Sequence, residues 1–131
     1  MSREELQRLA AEPLVTIGSH SVSHPNLLQV PPREATRELA ESKAELENLL
    51  GRHVEWFSFP HGTHDASLVR LALEAGYRRL FTIEPTLVDP LHPGVVNGRL
   101  KADPDEWPLE FFLKINGAYR WQARPLVRNW V

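Results

Sequence analysis

Cysteine is absent from all 131 residues. A disulfide framework and a thiolate metal site are therefore excluded, and His, Asp and Glu remain as ligand types. Long apolar runs are missing too: none approaches the roughly 20 residues that cross a bilayer. The start, Met1-Ser2-Arg3-Glu4-Glu5, lacks the charged-then-apolar layout of a signal peptide. With neither a recognisable leader nor a span, the compartment stays unassigned and the cytoplasm is the default. Charge of one sign is not in excess either. Fifteen Lys and Arg against 17 Asp and Glu, a formal net charge of -2, give no basis for a nucleic-acid partner. No internal repeat or low-complexity linker divides the chain, so one domain is expected.

What is present alternates between helical and strand patterns. Ser2 and Glu5 have the spacing of a capping box, with Leu6, Leu9 and Ala10 as the apolar stripe of a short helix. Leu14 to Gly18 reads as a continuous apolar strand of the kind buried on both faces. Pro31-Pro32 opens a long helix with apolar residues at Ala35, Leu39, Leu46, Leu49 and Leu50, and Gly51 suits its stop. The Glu, Arg and Lys residues of that helix read as a solvated face. Val54 to Phe59 is the next strand, and Asp65 caps a helix carrying Leu68, Leu71, Ala72 and Ala75. Leu80 to Ile83 and a weaker Val95 to Leu100 follow as strands, separated by a proline-rich connection. Pro108 begins a last helix that Gly117 ends. In the tail, residues 118–131, Arg120, Arg124 and Arg128 alternate with Trp121 and Trp130 as a surface helix or docking tail. Strand-helix alternation with apolar strands predicts an α/β fold around a mostly parallel sheet.

Two clusters carry chemistry. Ser19-His20-Ser21-Val22-Ser23-His24-Pro25 places two imidazoles four residues apart after a predicted strand, where loops of α/β folds converge on one crevice. Pro25 and the Ser-Val-Ser spacer favour a loop on which both rings can face one ion. Imidazole is the commonest protein ligand for zinc, and a structural hydrogen-bonded pair is the equal alternative. Phe59-Pro60-His61-Gly62-Thr63-His64-Asp65 follows the next strand. Its tight turn either presents a backbone N–H to an oxyanion or simply connects strand to capped helix. Trp56, Trp107 and Trp121 serve either as packing or as platforms for sugar rings.

In this order the two clusters resemble the polysaccharide deacetylase family, also called the NodB-homology family or carbohydrate esterase family 4. His20-Ser21-Val22-Ser23-His24 is similar to its His-Ser/Thr-x-x-His motif, and Pro60-His61-Gly62 partly matches its Pro-aromatic-Gly turn. The likeness covers Glu5 to Ile83, and more loosely Val95 to Gly117. It implies a partial, incomplete (β/α) barrel and a divalent metal, usually zinc. The implied reaction is hydrolysis of N- or O-acetyl groups on a polysaccharide or oligosaccharide. On the same implication His20 and His24 are metal ligands, the backbone N–H of His61 faces the oxyanion, and Phe59, Pro60 and Gly62 shape the acetyl-sugar groove.

The departures set the alternatives. The family's Asp-Asp segment, which supplies the base and the third ligand, has no counterpart in the nineteen residues before His20. Ser58 stands where the family has Arg or a small residue. Leu91-His92 approaches a Leu-x-His acid motif in composition but not in spacing. The chain is thus expected to be one of three things: a portion of a deacetylase lacking its first strands, an inactive metal- or carbohydrate-binding remnant, or a site completed locally by His61, His64 or Asp65. A parallel sheet with an uncovered edge also predicts self-association.

Overall fold

The computed structural model describes residues 1–88, 91 and 94–118. His92, the tail arginines, Trp121 and Trp130 lie outside the described residues. Helices α1 (Arg3–Ala11) and α2 (Pro32–Leu50) precede strand β1 (Trp56–Ser58). A 3-10 turn (Pro60–Gly62) leads to α3 (Ala66–Glu74), followed by β2 (Arg79–Phe81), β3 (Val96–Asn97) and α4 (Pro108–Ile115). The strands form one parallel sheet in the order β1-β2-β3, pairing Phe57 with Leu80 and Leu80 with Val96.

Local chemistry fixes the helix ends. Ser2 and Glu5 make the reciprocal capping box of α1. Pro32 starts α2, and Gly51 closes it in the left-handed conformation at φ 64°. Asp65 accepts from the Leu68 N–H at 2.8 Å to begin α3.

The core lies between the sheet and the two helices α2 and α3. Phe57, Phe59 and Leu80 point into it from the sheet and meet Leu39, Leu68, Val69 and Ala72 from the helices. Burying each such large side chain contributes roughly 1.5–3 kcal/mol. Alternation along β1 puts Trp56 and Ser58 on the opposite face. There Trp56 and Phe81 stand 5.3 Å apart.

Two expectations are corrected. Leu14 to Gly18 is not a strand buried on both faces, because Leu14 is 99% exposed and the segment touches the sheet only through a parallel bridge from Ser19 to Phe57. Among the described residues it has no ladder beyond that bridge, so apolar composition alone cannot hold it extended. The charged residues of α2 are not all solvated either: Glu38 is 1% exposed, and the polar Ser42 is buried with it. Both fall on the helical stripe of Ala35, Leu39 and Leu46, which carries them inward with the apolar residues.

The end of α2 is clamped to the start of β1 by a second polar group. Lys43 donates to the Val54 carbonyl at 2.5 Å and pairs with Glu47 at 3.0 Å, while Glu47 accepts from the Val54 N–H at 2.9 Å. The Val54 N–H, backed by Lys43, brings the Glu47 carboxyl down from 4.5 to about 2. Below pH 4.5 the unfolded chain takes up a proton that folded Glu47 refuses, so this contribution is complete above that pH and is lost as pH falls toward about 2. Denaturant titrations across that range should show the loss in wild type. Glu47→Ala should lower stability by about 1–3 kcal/mol at neutral pH and flatten that part of the acid profile.

Candidate functional site

The site begins where the chain leaves the sheet. Ser19 donates its N–H to Trp56 at 2.8 Å and accepts from the Ser58 N–H at 2.9 Å. Its hydroxyl donates to Ser42 at 2.9 Å, and Ser42 in turn contacts the buried Tyr77 hydroxyl at 3.2 Å. Burial raises the Tyr77 phenol above its ordinary value against the hydrogen bonds from Ser19 and Ser42. Next in the chain, the His20 ring places Nδ1 2.7 Å from the Ser58 carbonyl. A carbonyl only accepts, so Nδ1 carries the hydrogen and the lone pair of the neutral ring sits on Nε2.

The segment then turns back sharply. Ser21 and His24 both have positive φ, at 66° and 59°, a conformation that non-glycine residues adopt at a cost of about 1–3 kcal/mol each. The His24 N–H donates to the Ser21 hydroxyl at 3.1 Å. Between them, Val22 and Ser23 donate to the Glu38 carboxylate. Burial opposes the Glu38 charge, yet the bonds from Ser23 and Val22, with Arg37 nearby, outweigh it and hold the carboxyl below its ordinary value.

As a result the Nε2 atoms of His20 and His24 face each other 3.1 Å apart. Two nitrogens on one tetrahedral zinc, each about 2.0–2.1 Å from it, lie roughly 3.3 Å from one another. The separation therefore matches two of the ligands of a divalent ion. The same distance also suits a hydrogen bond in which His24 Nε2 donates. Both readings of the pair are compatible with this geometry.

The second segment completes the rim. Gly62 donates to the Phe59 carbonyl at 2.9 Å, and His61 stands between at φ 58°. The His61 ring packs edge-on against His24 with centroids 4.7 Å apart. Its backbone N–H has no acceptor among the described residues. Gly62 is required here: its φ is 69°, and an added Cβ would collide with the Ile83 side chain. Thr63 donates to Asn26 at 2.9 Å and so ties this turn to the histidine loop.

The remaining candidates have other partners or other places. Phe59 is 0% exposed and Pro60 is buried, so they support the turn from beneath and offer a ligand no surface. The expectation that His61, His64 or Asp65 completes an ion site is corrected: among the described residues no group of three or more His, Cys, Asp or Glu could hold an ion. His64 stacks on Phe59 and bonds the Gly62 carbonyl, while Asp65 is committed to its helix cap. Trp107, 79% exposed before α4, does not line the cavity beside His20, whereas Trp56 does.

That cavity, about 260 Å3, is lined by His20, Trp56, Ser58, Phe81 and Arg99 among others. Arg99 donates Nε to the Thr82 carbonyl at 2.9 Å and also lines a larger cavity of about 810 Å3 with Ile83, Leu100 and Lys101. The buried Ser58 hydroxyl has no partner among the described residues. Arg99, Asn26 and Glu38 were not legible as site residues. Only Glu38 had a signal, a charged side chain on the apolar stripe of α2.

Comparison with known proteins agrees with this arrangement. The profile of the polysaccharide deacetylase family matches residues 1–80. YxkH of Bacillus subtilis (strain 168), whose name places it provisionally among polysaccharide deacetylases, is 28% identical over 82 residues, covering 63% of this chain and 29% of that protein. The Streptococcus pyogenes deacetylase PplD, solved with acetate, superposes with a TM-score of 0.78 at 18% identity, over 87% of this chain and 50% of that one. The polysaccharide deacetylase BC0361 from Bacillus cereus gives 0.74 at 21% identity, over 88% and 36%. The chain thus spans half or less of the length of each of these relatives, and its α/β fold is the corresponding part of their barrel. It belongs to the polysaccharide deacetylase family.

Proposed function

We propose that this chain supplies the two-imidazole part of a divalent-metal centre, zinc by donor type, that removes acetyl groups from a polysaccharide or oligosaccharide. The observation that carries the reading is the 3.1 Å approach of the two Nε2 atoms, with the His20 tautomer set by the Ser58 carbonyl. An ion held by His20 and His24 would supply Lewis-acid chemistry there, polarisation of the acetyl carbonyl and activation of water.

The chain's own groups do the rest of what can be assigned. The free His61 N–H donates to the acetyl oxygen as negative charge builds on it. Phe59 and Pro60 hold that N–H rigid from below, and Gly62 allows the turn to seat against Ile83. Hydrolysis adds water across the acyl bond: the C–N or C–O bond breaks, the sugar nitrogen or oxygen takes the proton, and acetate leaves. The cavity beside His20, continued past Arg99 by the larger one, gives a sugar chain room next to the reacting group.

A second reading, a metal- or carbohydrate-binding domain that does not hydrolyse, draws on one observation. Among the described residues no carboxylate joins the histidine pair as a third ligand.

Zinc competition titrations and acetate release from acetylated chitooligosaccharide separate the two. His20→Ala and His24→Ala should each weaken zinc binding by roughly a hundredfold or more, since even outer-shell changes often cost tenfold. Zinc-dependent acetate release abolished in both variants supports the hydrolase; tight zinc binding without turnover supports the binding domain. Zinc affinity unchanged in both variants refutes the ion site. We also propose that the edge of β3, which pairs only with β2 among the described residues, pairs between copies. Sedimentation velocity should then show an average mass that rises with protein concentration, and a monomer at all concentrations would reject the pairing.

A further inference from the structure

The loop from Ser21 to Ser23 has no helix or strand to supply partners for its backbone. Those partners come from one side chain on another element. Glu38 lies on the buried stripe of α2, next to Leu39 and one turn from Ala35 and Ser42. Its Oε2 accepts from the N–H of Val22 at 2.8 Å and of Ser23 at 2.9 Å, and its Oε1 accepts from the Ser23 hydroxyl at 2.7 Å. Arg37, the nearest cation, is 3.9 Å away and more than half exposed. A carboxylate in this setting is costly unless its oxygens are satisfied, and the loop satisfies them.

The bonds are aimed where the backbone is strained. Val22 and Ser23 sit between Ser21 and His24, the two loop residues at positive φ, and such conformations persist only when the surroundings over-determine them. His20 has separate anchors in the Ser19 bridge and the Ser58 carbonyl. On the His24 side, the His24 N–H donates to the Ser21 hydroxyl, and the preceding Val22 and Ser23 N–H groups donate to Glu38.

We propose that Glu38 is a positioning residue for the proposed ion site: its carboxylate fixes the loop conformation that carries His24 Nε2 to His20 Nε2. Without it, water satisfies the exposed Val22 and Ser23 N–H groups but does not direct them. The backbone then relaxes toward negative φ and the His24 ring leaves its partner. This rests on the metal reading of the pair, and the test keeps the two apart.

Zinc affinity of the full chain is measured for wild type, Glu38→Ala, Glu38→Gln and His24→Ala, with folding followed by circular dichroism. Glu38→Ala is expected to bind zinc about tenfold or more weakly while staying folded. Glu38→Gln should stay within about threefold of wild type, because its carbonyl can accept both N–H groups and its amide can donate to the Ser23 hydroxyl. A folded Glu38→Ala with wild-type affinity overturns the proposal, as does a Glu38→Gln that loses as much as Glu38→Ala. Should Glu38→Ala not fold, Ser23→Ala removes one of the three bonds: a severalfold loss supports the proposal and none overturns it. If His24→Ala binds zinc like wild type, the ion reading fails instead. The imidazole 15N signals of the metal-free protein then decide: Glu38→Ala should move those of His24 and leave His20 Nδ1 in place, and unmoved His24 signals reject the role.

Discussion

The site depends on two backbone hydrogen bonds at Ser19. They fix the point at which the chain departs from β1, so that the residue after the bridge is placed before any side-chain contact is made. Ser58 takes part twice, donating its N–H to Ser19 and accepting from the His20 ring through its carbonyl. One strand residue therefore sets the path of the loop and the orientation of its first imidazole. Below it, the buried Ser19, Ser42 and Tyr77 hydroxyls connect the same departure point to α2.

Two backbone bonds contribute only about 1 kcal/mol each in net terms. The three residues at positive φ, Ser21, His24 and His61, cost about as much or more apiece. The balance comes from groups that do no chemistry themselves: the Glu38 carboxylate, the Asn26 amide, and the aromatic support of Phe59 under His64. The strain thus collects at His24, at His61 and at Ser21 next to His20.

The parts of this design that a sequence records are those in which residue type and short spacing carry the information. His20 and His24, the Pro60-His61-Gly62 turn, the caps at Ser2 and Asp65 and the stop at Gly51 are all of that kind. Leu14 to Gly18 misled because strand formation is decided by a hydrogen-bonded neighbour and not by composition. Glu38 was hidden because a charged residue on a helix is usually solvated, and its inward direction follows only from its place between Ala35 and Ser42. Asn26 meets Thr63, and Arg99 comes to line one cavity with His20, across more than thirty residues of chain. No local pattern reports such a meeting, and it emerges only when β1, β2 and β3 align their ends. The ion, the sugar and the acetyl position are properties of a ligand and leave no comparable trace in spacing.

The bond from Thr63 to Asn26 makes the two histidine-bearing segments one mechanical body. His61 cannot withdraw from His24 unless that bond breaks or the strand termini move together. The two segments therefore form one wall of fixed shape. Across the cavity, Arg99 after the short strand β3 is itself tied down, its Nε donating to the Thr82 carbonyl and its N–H to the Glu84 carbonyl, so that side too is held at its root.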